Sequence, residues 1–157
     1  MKTTIGNQFL RAEINHKGAE LVSVEKDGEN YIWEIDKNFW DKTSPVLFPI
    51  VGGLKENAYE YENKKYHLPR HGFARDCEFE LVTKTEDSVV FTLQYSEETL
   101  KIFPFKFTLS IKYYIIKNEI FIKYTVSNAS SEKNVLFTRC SSGFLGSGRL
   151  RRLCAGV

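Results

Sequence analysis

A chain of 157 residues, 42% hydrophobic and 27% charged, is long enough for one domain with a core and has a soluble globular composition. Its net charge of +2 gives no argument for a nucleic acid or a membrane surface as partner. The longest near-apolar run, PVLFPIVGGL at 45–54, is too short to span a bilayer and holds two prolines. The opening MKTTIGNQ has no apolar signal-peptide core, and Cys77, Cys140 and Cys154 have no metal-like spacing. The expectation is a reducing, cytoplasmic setting with no metal and no cofactor.

Aromatic residues make up 14% of the chain, with 12 Phe and 8 Tyr, a composition that suits pleated surfaces. Residues 8–15 and 19–26 are predicted strands, broken by Lys17-Gly18. Asp27-Gly28-Glu29-Asn30 is a tight turn into Tyr31-Ile32-Trp33-Glu34, and 36–43 has room for one short helical turn. The apolar stretch Pro45 to Gly53, punctuated by Pro and Gly, suits a bent edge strand leading into a site-forming loop. Asn63-Lys64-Lys65 is a predicted turn between Tyr59–Tyr61 and Tyr66–Leu68. A hairpin follows at 77–96: Cys77, Phe79 and Leu81 face one way, then Glu86-Asp87-Ser88 turns, then Val89, Phe91, Leu93 and Tyr95 follow in step. In 105–115 the alternation is strict, with Phe105, Phe107, Leu109, Ile111, Tyr113 and Ile115 on one face. Lys117-Asn118-Glu119 turns the chain, and Ile120, Ile122, Tyr124 and Val126 resume the pattern. No amphipathic helix of three turns is visible. These periods predict an all-β, mostly antiparallel β-sandwich.

The end of the chain breaks the pattern. From Arg139 onward it holds Arg139, Arg149, Arg151 and Arg152 but no lysine and no acid, whereas the last lysine of the body is Lys133. CSSGFLGSGRLRRLCAGV has neither strand alternation nor a helical stripe. Residues 138–157 read either as a flexible basic tail or as a stretch foreign to the native frame, out of frame or introduced by cloning.

The chemistry-bearing stretch is LPRHGFARD at 68–76. His71 on a loop after a strand can serve acid–base work or hydroxyl recognition, and Gly72 allows a turn and close backbone approach. Phe73 can anchor the loop, and Arg75 can donate a forked pair of hydrogen bonds to a carboxylate, a phosphate or sugar hydroxyls. Read from the residues alone, His71 is equally a satisfied structural histidine, and Arg75 equally an ion-pair partner of Asp76 or Glu78. His67 reads as a partly exposed strand residue and His16 as a turn residue, and three histidines without convergent spacing argue against zinc.

The order PVLFPIVGGLKENAYEYENKKYHLPRHGFARDCEFELV at 45–82 resembles the aldose 1-epimerase family, also called galactose mutarotase-like proteins. AEINHKGAELVSV at 12–24, YIWEIDKNFWDKTSPVLFP at 31–49 and ETLKIFPFKFTLSIKYYI at 98–115 are similar to its flanking strands. The resemblance runs from the N-terminus to Phe137 and implies the N-terminal portion, 1–137, of a β-supersandwich. It implies a monosaccharide partner, a hexose whose α and β anomers interconvert through the open aldehyde. In the family a histidine protonates the ring oxygen, a late glutamate takes the anomeric hydroxyl proton, and a second histidine polarises the sugar. His71 matches that second histidine, and Arg75 matches the arginine of the same motif. An arginine common at the position of Gly53 is missing, with Lys55 nearby as a substrate-binding candidate. No histidine follows His71, and the segment expected to carry the acid histidine reads TRCSSGFLGSG from Thr138. The expectation is a truncated form without catalysis, self-associating through uncovered strands. A non-catalytic carbohydrate-binding module and a hexose-phosphate mutarotase are the alternatives.

Overall fold

The computed structural model describes residues 1–129, 139–140 and 151–156. The N-terminal sheet is built of β1 (Lys2–Gly6), β2 (Arg11–Asn15), β3 (Leu21–Lys26) and β4 (Glu29–Asn30), antiparallel and in sequence order. Thr3 and Ile5 of β1 lie opposite Ile14 and Ala12 of β2, and all four are buried, so period two assigns the inward face. The sequence reading began its first strand at residue 8 and had no β1. The Asp27-Gly28 turn forms as expected, with φ of 53° and 84°. Glu29 and Asn30, expected in that turn, pair instead with Lys26 and Glu25 as β4. The Asn30 side chain accepts from the amides of Val24 and Ile32, which closes the corner and ends the ladder. Residues 36–40 form a single turn in which the amides of Phe39 and Trp40 both reach Asp36 O.

The connection to β5 (Val46–Leu47) is fixed from below. One oxygen of Glu20 accepts from the Thr43 amide, the Thr43 hydroxyl and the Ser44 amide at 2.9, 2.7 and 2.9 Å. The Ser44 hydroxyl donates to Leu21 O at 2.7 Å. Next come β6 (Ala58–Tyr61) and β7 (Lys64–His67), a hairpin whose two-residue loop, Glu62-Asn63, has positive φ at both positions. Lys64 and Lys65, expected in the turn, are paired strand residues.

The larger sheet contains β8 (Glu80–Lys84), β9 (Ser88–Gln94), β10 (Phe107–Ile116) and β11 (Glu119–Asn128). Two short strands complete the set: β12 (Arg139–Cys140), antiparallel to β5, and β13 (Arg151–Gly156), parallel to β11. The order in this sheet is β13-β11-β10-β9-β8. The tail, read as lacking strand alternation, thus contributes backbone to two ladders. Ladder pairing uses N–H and C=O groups and does not require an alternating pattern. The remainder of the tail lies outside the described residues. Between β9 and β10 stands α1 (Glu97–Ile102), which sequence periodicity missed because it is only six residues long. A reciprocal cap starts it: Thr99 N donates to Ser96 Oγ, and Ser96 N donates to Thr99 Oγ1.

The two sheets share one core. Phe107, Leu109, Ile111 and Tyr113 of β10 are fully buried, with Val89 and Phe91 of β9, Ile122 of β11, and Ile5, Ala12, Ile14 and Leu21 of the smaller sheet. The all-β sandwich and the facing of 105–115 and 120–124 are as the sequence predicts. The His16 ring, expected in a turn, packs edge-on against Phe91 at 5.1 Å while Nε2 meets the Thr3 hydroxyl at 2.8 Å. Among the described residues no helix is long and apolar enough to cross a membrane.

A buried side-chain hydrogen bond ties the turn before β3 to β10. Tyr113 Oη donates to Ala19 O at 2.7 Å, fully buried. Tyr113→Phe would leave that carbonyl short of a partner in a dry interior. The expected loss is about 1–3 kcal/mol in urea unfolding, with an unchanged m-value.

Candidate functional site

The site loop is built on Phe48. Its ring is fully buried and meets those of Phe107, Phe73 and Phe103 at 4.9, 6.0 and 6.3 Å. Its carbonyl accepts from the amides of Phe73 and Ala74 at 3.0 and 3.3 Å, and Phe48 and Gly72 form a parallel bridge. This bridge presses the HGFAR backbone onto the strand end. Gly72 has φ +70°, and a Cβ there would overlap the Phe48 carbonyl and sit 2.6 Å from Pro49 Cδ. No residue with a side chain fits.

A second close approach holds the other end of the loop. Gly18, at φ +71°, lies so near Arg75 that a Cβ would meet Arg75 O at 2.8 Å. Gly18 N donates to Cys77 O and Phe79 N to His16 O, so that Lys17 and Glu78 form an antiparallel backbone bridge. The Lys17-Gly18 turn of the first sheet is therefore the shelf on which residues 75–79 rest. The thiol of Cys77 donates to Phe73 O, and burial pushes its pKa up.

His71 is half-buried and itself in the left-handed region, at φ +70°. It is held by a reciprocal pair: its amide donates to Gly52 O at 2.7 Å, and Gly52 N donates to His71 Nδ1 at 3.0 Å. An Nδ1 that accepts carries no proton, so the neutral ring carries its proton on Nε2. Nε2 has no hydrogen-bond partner among the described residues and is not buried. Protonating the ring would have to use the lone pair that Gly52 occupies. Burial, and then the positive charges of Arg70 and Arg75, hold the pKa below the ordinary 6.5. The loop presents one oriented N–H donor that stays neutral at neutral pH.

The arginine of the motif is largely engaged. Arg75 Nη2 donates to Arg70 O at 3.1 Å, and Nε lies 3.6 Å from an Asp76 oxygen. Arg75 pairs with Asp76, and its charge also reaches His71. Lys55 stands exposed on the 3-10 turn Lys55–Asn57, and no hydrogen bond or ion pair joins it to His71 or Arg75 among the described residues. Arg70 was given no role by sequence reasoning. Its exposed side chain packs over Gly53, where a Cβ would lie 3.8 Å from Arg70 Cγ. The local signal was only its place before His71. No group of three or more His, Cys, Asp or Glu side chains converges to hold a metal among the described residues.

Two measurements follow from this geometry. Gly72→Ala should lower stability by at least about 1–2 kcal/mol from the left-handed backbone alone, read by chemical denaturation. His71 should titrate by NMR with a midpoint below 6.5 and show the Nε2–H tautomer. With the folded pKa depressed, the unfolded chain binds this proton first. The His71 contribution to stability is therefore complete above pH 6.5 and is lost as pH falls from there through the folded midpoint.

The family model described as "Aldose 1-epimerase" matches residues 1–138. A galactose mutarotase related enzyme from Lactobacillus acidophilus superposes with a TM-score of 0.83 at 40% identity, over 84% of this chain and 45% of that one. Protein LacX, chromosomal, from Lactococcus lactis subsp. lactis is 30% identical over 141 residues, 86% of this chain and 47% of its own length. A protein of Salmonella typhimurium named "Putative glucose-6-phosphate 1-epimerase" is 29% identical over 119 residues, 69% of this chain and 37% of its own. The chain spans about half the length of the curated relatives it matches. With the family model covering the sandwich and the His71 loop alike, the chain belongs to the aldose 1-epimerase family.

Proposed function

We propose that the His71 loop is the sugar-polarising part of a mutarotase site, one that interconverts the α and β anomers of a hexose. The observation that carries this is the reciprocal pair with Gly52, which aims a neutral Nε2–H donor out of the fold. Anomer exchange through the open aldehyde needs an acid at the ring oxygen and a base at the anomeric hydroxyl. His71 supplies neither, because its one lone pair is occupied and its ring is uncharged at neutral pH. It instead donates a hydrogen bond to a sugar oxygen and fixes the pose. Arg75 supports the loop from which His71 projects, and Lys55 is a peripheral contact for sugar hydroxyls.

In this reading residues 1–137 are the N-terminal portion of an aldose 1-epimerase-like domain, and 138–157 are an atypical tail. The chain binds a hexose without turning it over, since its other histidines stand elsewhere. His16 is bonded to Thr3, and His67 is exposed on β7. The Salmonella relative's name brings a phosphorylated hexose into the candidate class beside the free sugar.

Polarimetry on freshly dissolved α-glucose or α-galactose tests the chemistry, and NMR titration of the same sugars tests binding. The expected result is the uncatalysed rate of rotation change, together with saturable binding that His71→Ala weakens about tenfold. Catalysed mutarotation that survives in His71→Ala would place the chemistry elsewhere. Absence of binding would remove the sugar site.

A further inference from the structure

We infer that Glu20 is a positioning residue of this site, whose carboxylate sets where Gly52 meets His71. This assignment rests on His71 as the oriented donor of a sugar site and names what aims that donor. Two arms of chain converge on the imidazole. One is 43–52, which ends on the glycine that bonds the His71 amide and Nδ1. The other is 71–79, which carries His71 itself. Both arms are held by the same turn, residues 16–20. His16 O and Gly18 N bond Phe79 N and Cys77 O of the second arm, while Glu20 holds the first.

The hold on the first arm converges on Glu20 Oε1. It accepts the Thr43 amide, the Thr43 hydroxyl and the Ser44 amide, all within 2.9 Å. Bonds to an ionised carboxylate are about twice as strong as those between neutral groups. Two buried amides need an acceptor, and this oxygen provides it. The Ser44 hydroxyl adds its bond to Leu21 O, so the neighbours 20 and 21 grip the neighbours 43 and 44. Every residue from 43 to 49 is buried, which leaves the arm little room to slide. It runs from this grip through β5 to Phe48, whose carbonyl takes Phe73 and Ala74, and then to Gly52. The Phe48 bridge ties the two arms sideways, and Glu20 sets the first arm along its length. Glu20 itself stands on a fixed base, since Asn15 N donates to its carbonyl and Tyr113 Oη to the carbonyl of Ala19. A shift of 43–44 would carry Gly52 off the His71 ring, and a donor misaimed by about an ångström loses much of its effect.

The test reads the His71 ring and the Gly52 amide by heteronuclear NMR in the 157-residue chain, without and with glucose. Glu20→Ala is expected to turn the single Nε2–H tautomer into a mixture, to shift the Gly52 amide and to weaken glucose binding about tenfold. The geometry asks for reach more than for charge. Glu20→Gln keeps an acceptor at the same distance and is expected to restore the single tautomer, with glucose affinity within about twofold. Glu20→Asp keeps the charge one carbon short and is expected to fall between Ala and Gln. Ile122→Val, fully buried in β11 and away from both arms, is expected to lower stability and leave the ring signature unchanged. A parent-like ring signature in both Glu20→Ala and Glu20→Asp would overturn the assignment. So would an Ile122→Val chain as disturbed at His71 as Glu20→Ala, since the effect would then be stability alone. Where Glu20→Ala does not fold, Glu20→Asp against Glu20→Gln decides the question by the same signature. That signature is read without sugar, so a chain that binds no glucose would remove the sugar-binding reading and leave Glu20 judged on the ring alone.

Discussion

The architecture around the site depends on one carbonyl, that of Phe48. It accepts two amides from the HGFAR segment, while the ring of the same residue is locked among Phe73, Phe103 and Phe107. A buried carbonyl needs partners, and a ring at the centre of a packed cluster cannot shift without opening a void. Together these demands fix where residues 72–74 run. The absence of a Cβ at Gly72 is what lets the backbone come that close.

The electronic state of the histidine follows from this backbone placement. Once Gly72 and Phe73 are pinned, His71 must turn at positive φ, and its ring lands on the Gly52 amide. No acidic side chain is required to choose the tautomer, because a peptide N–H does so. His71 is thus held in a sparsely populated backbone region by the packing around it.

Much of the fold was legible because half-buried antiparallel strands print a period of two. Phe107 to Ile115 and Ile120 to Tyr124 were readable for that reason alone. α1 was not readable by periodicity, since six residues make less than two turns, although Ser96 and Thr99 carried a capping signature. β1 was overlooked although Thr3 and Ile5 alternate, because five residues at a chain end give little pattern. At the site, His71 and Arg75 stood out through the resemblance of their motif. Neither Arg70 over Gly53 nor Gly18 under Arg75 could be read locally. Each joins positions 17 or more residues apart through packing, which leaves no mark in a short window.

The Gly18 shelf has a consequence for how the loop can move. Residues 75–79 are bonded to residues 16–18, and residues 72–74 to Phe48, whose ring is wedged among side chains from 73 to 107. The recognition loop therefore has no hinge of its own. To open, it must separate the N-terminal sheet from the aromatic cluster, which is close to unfolding the whole sandwich. Amide exchange at Phe73 and Phe79 is thus tied to opening of the sandwich rather than to local breathing.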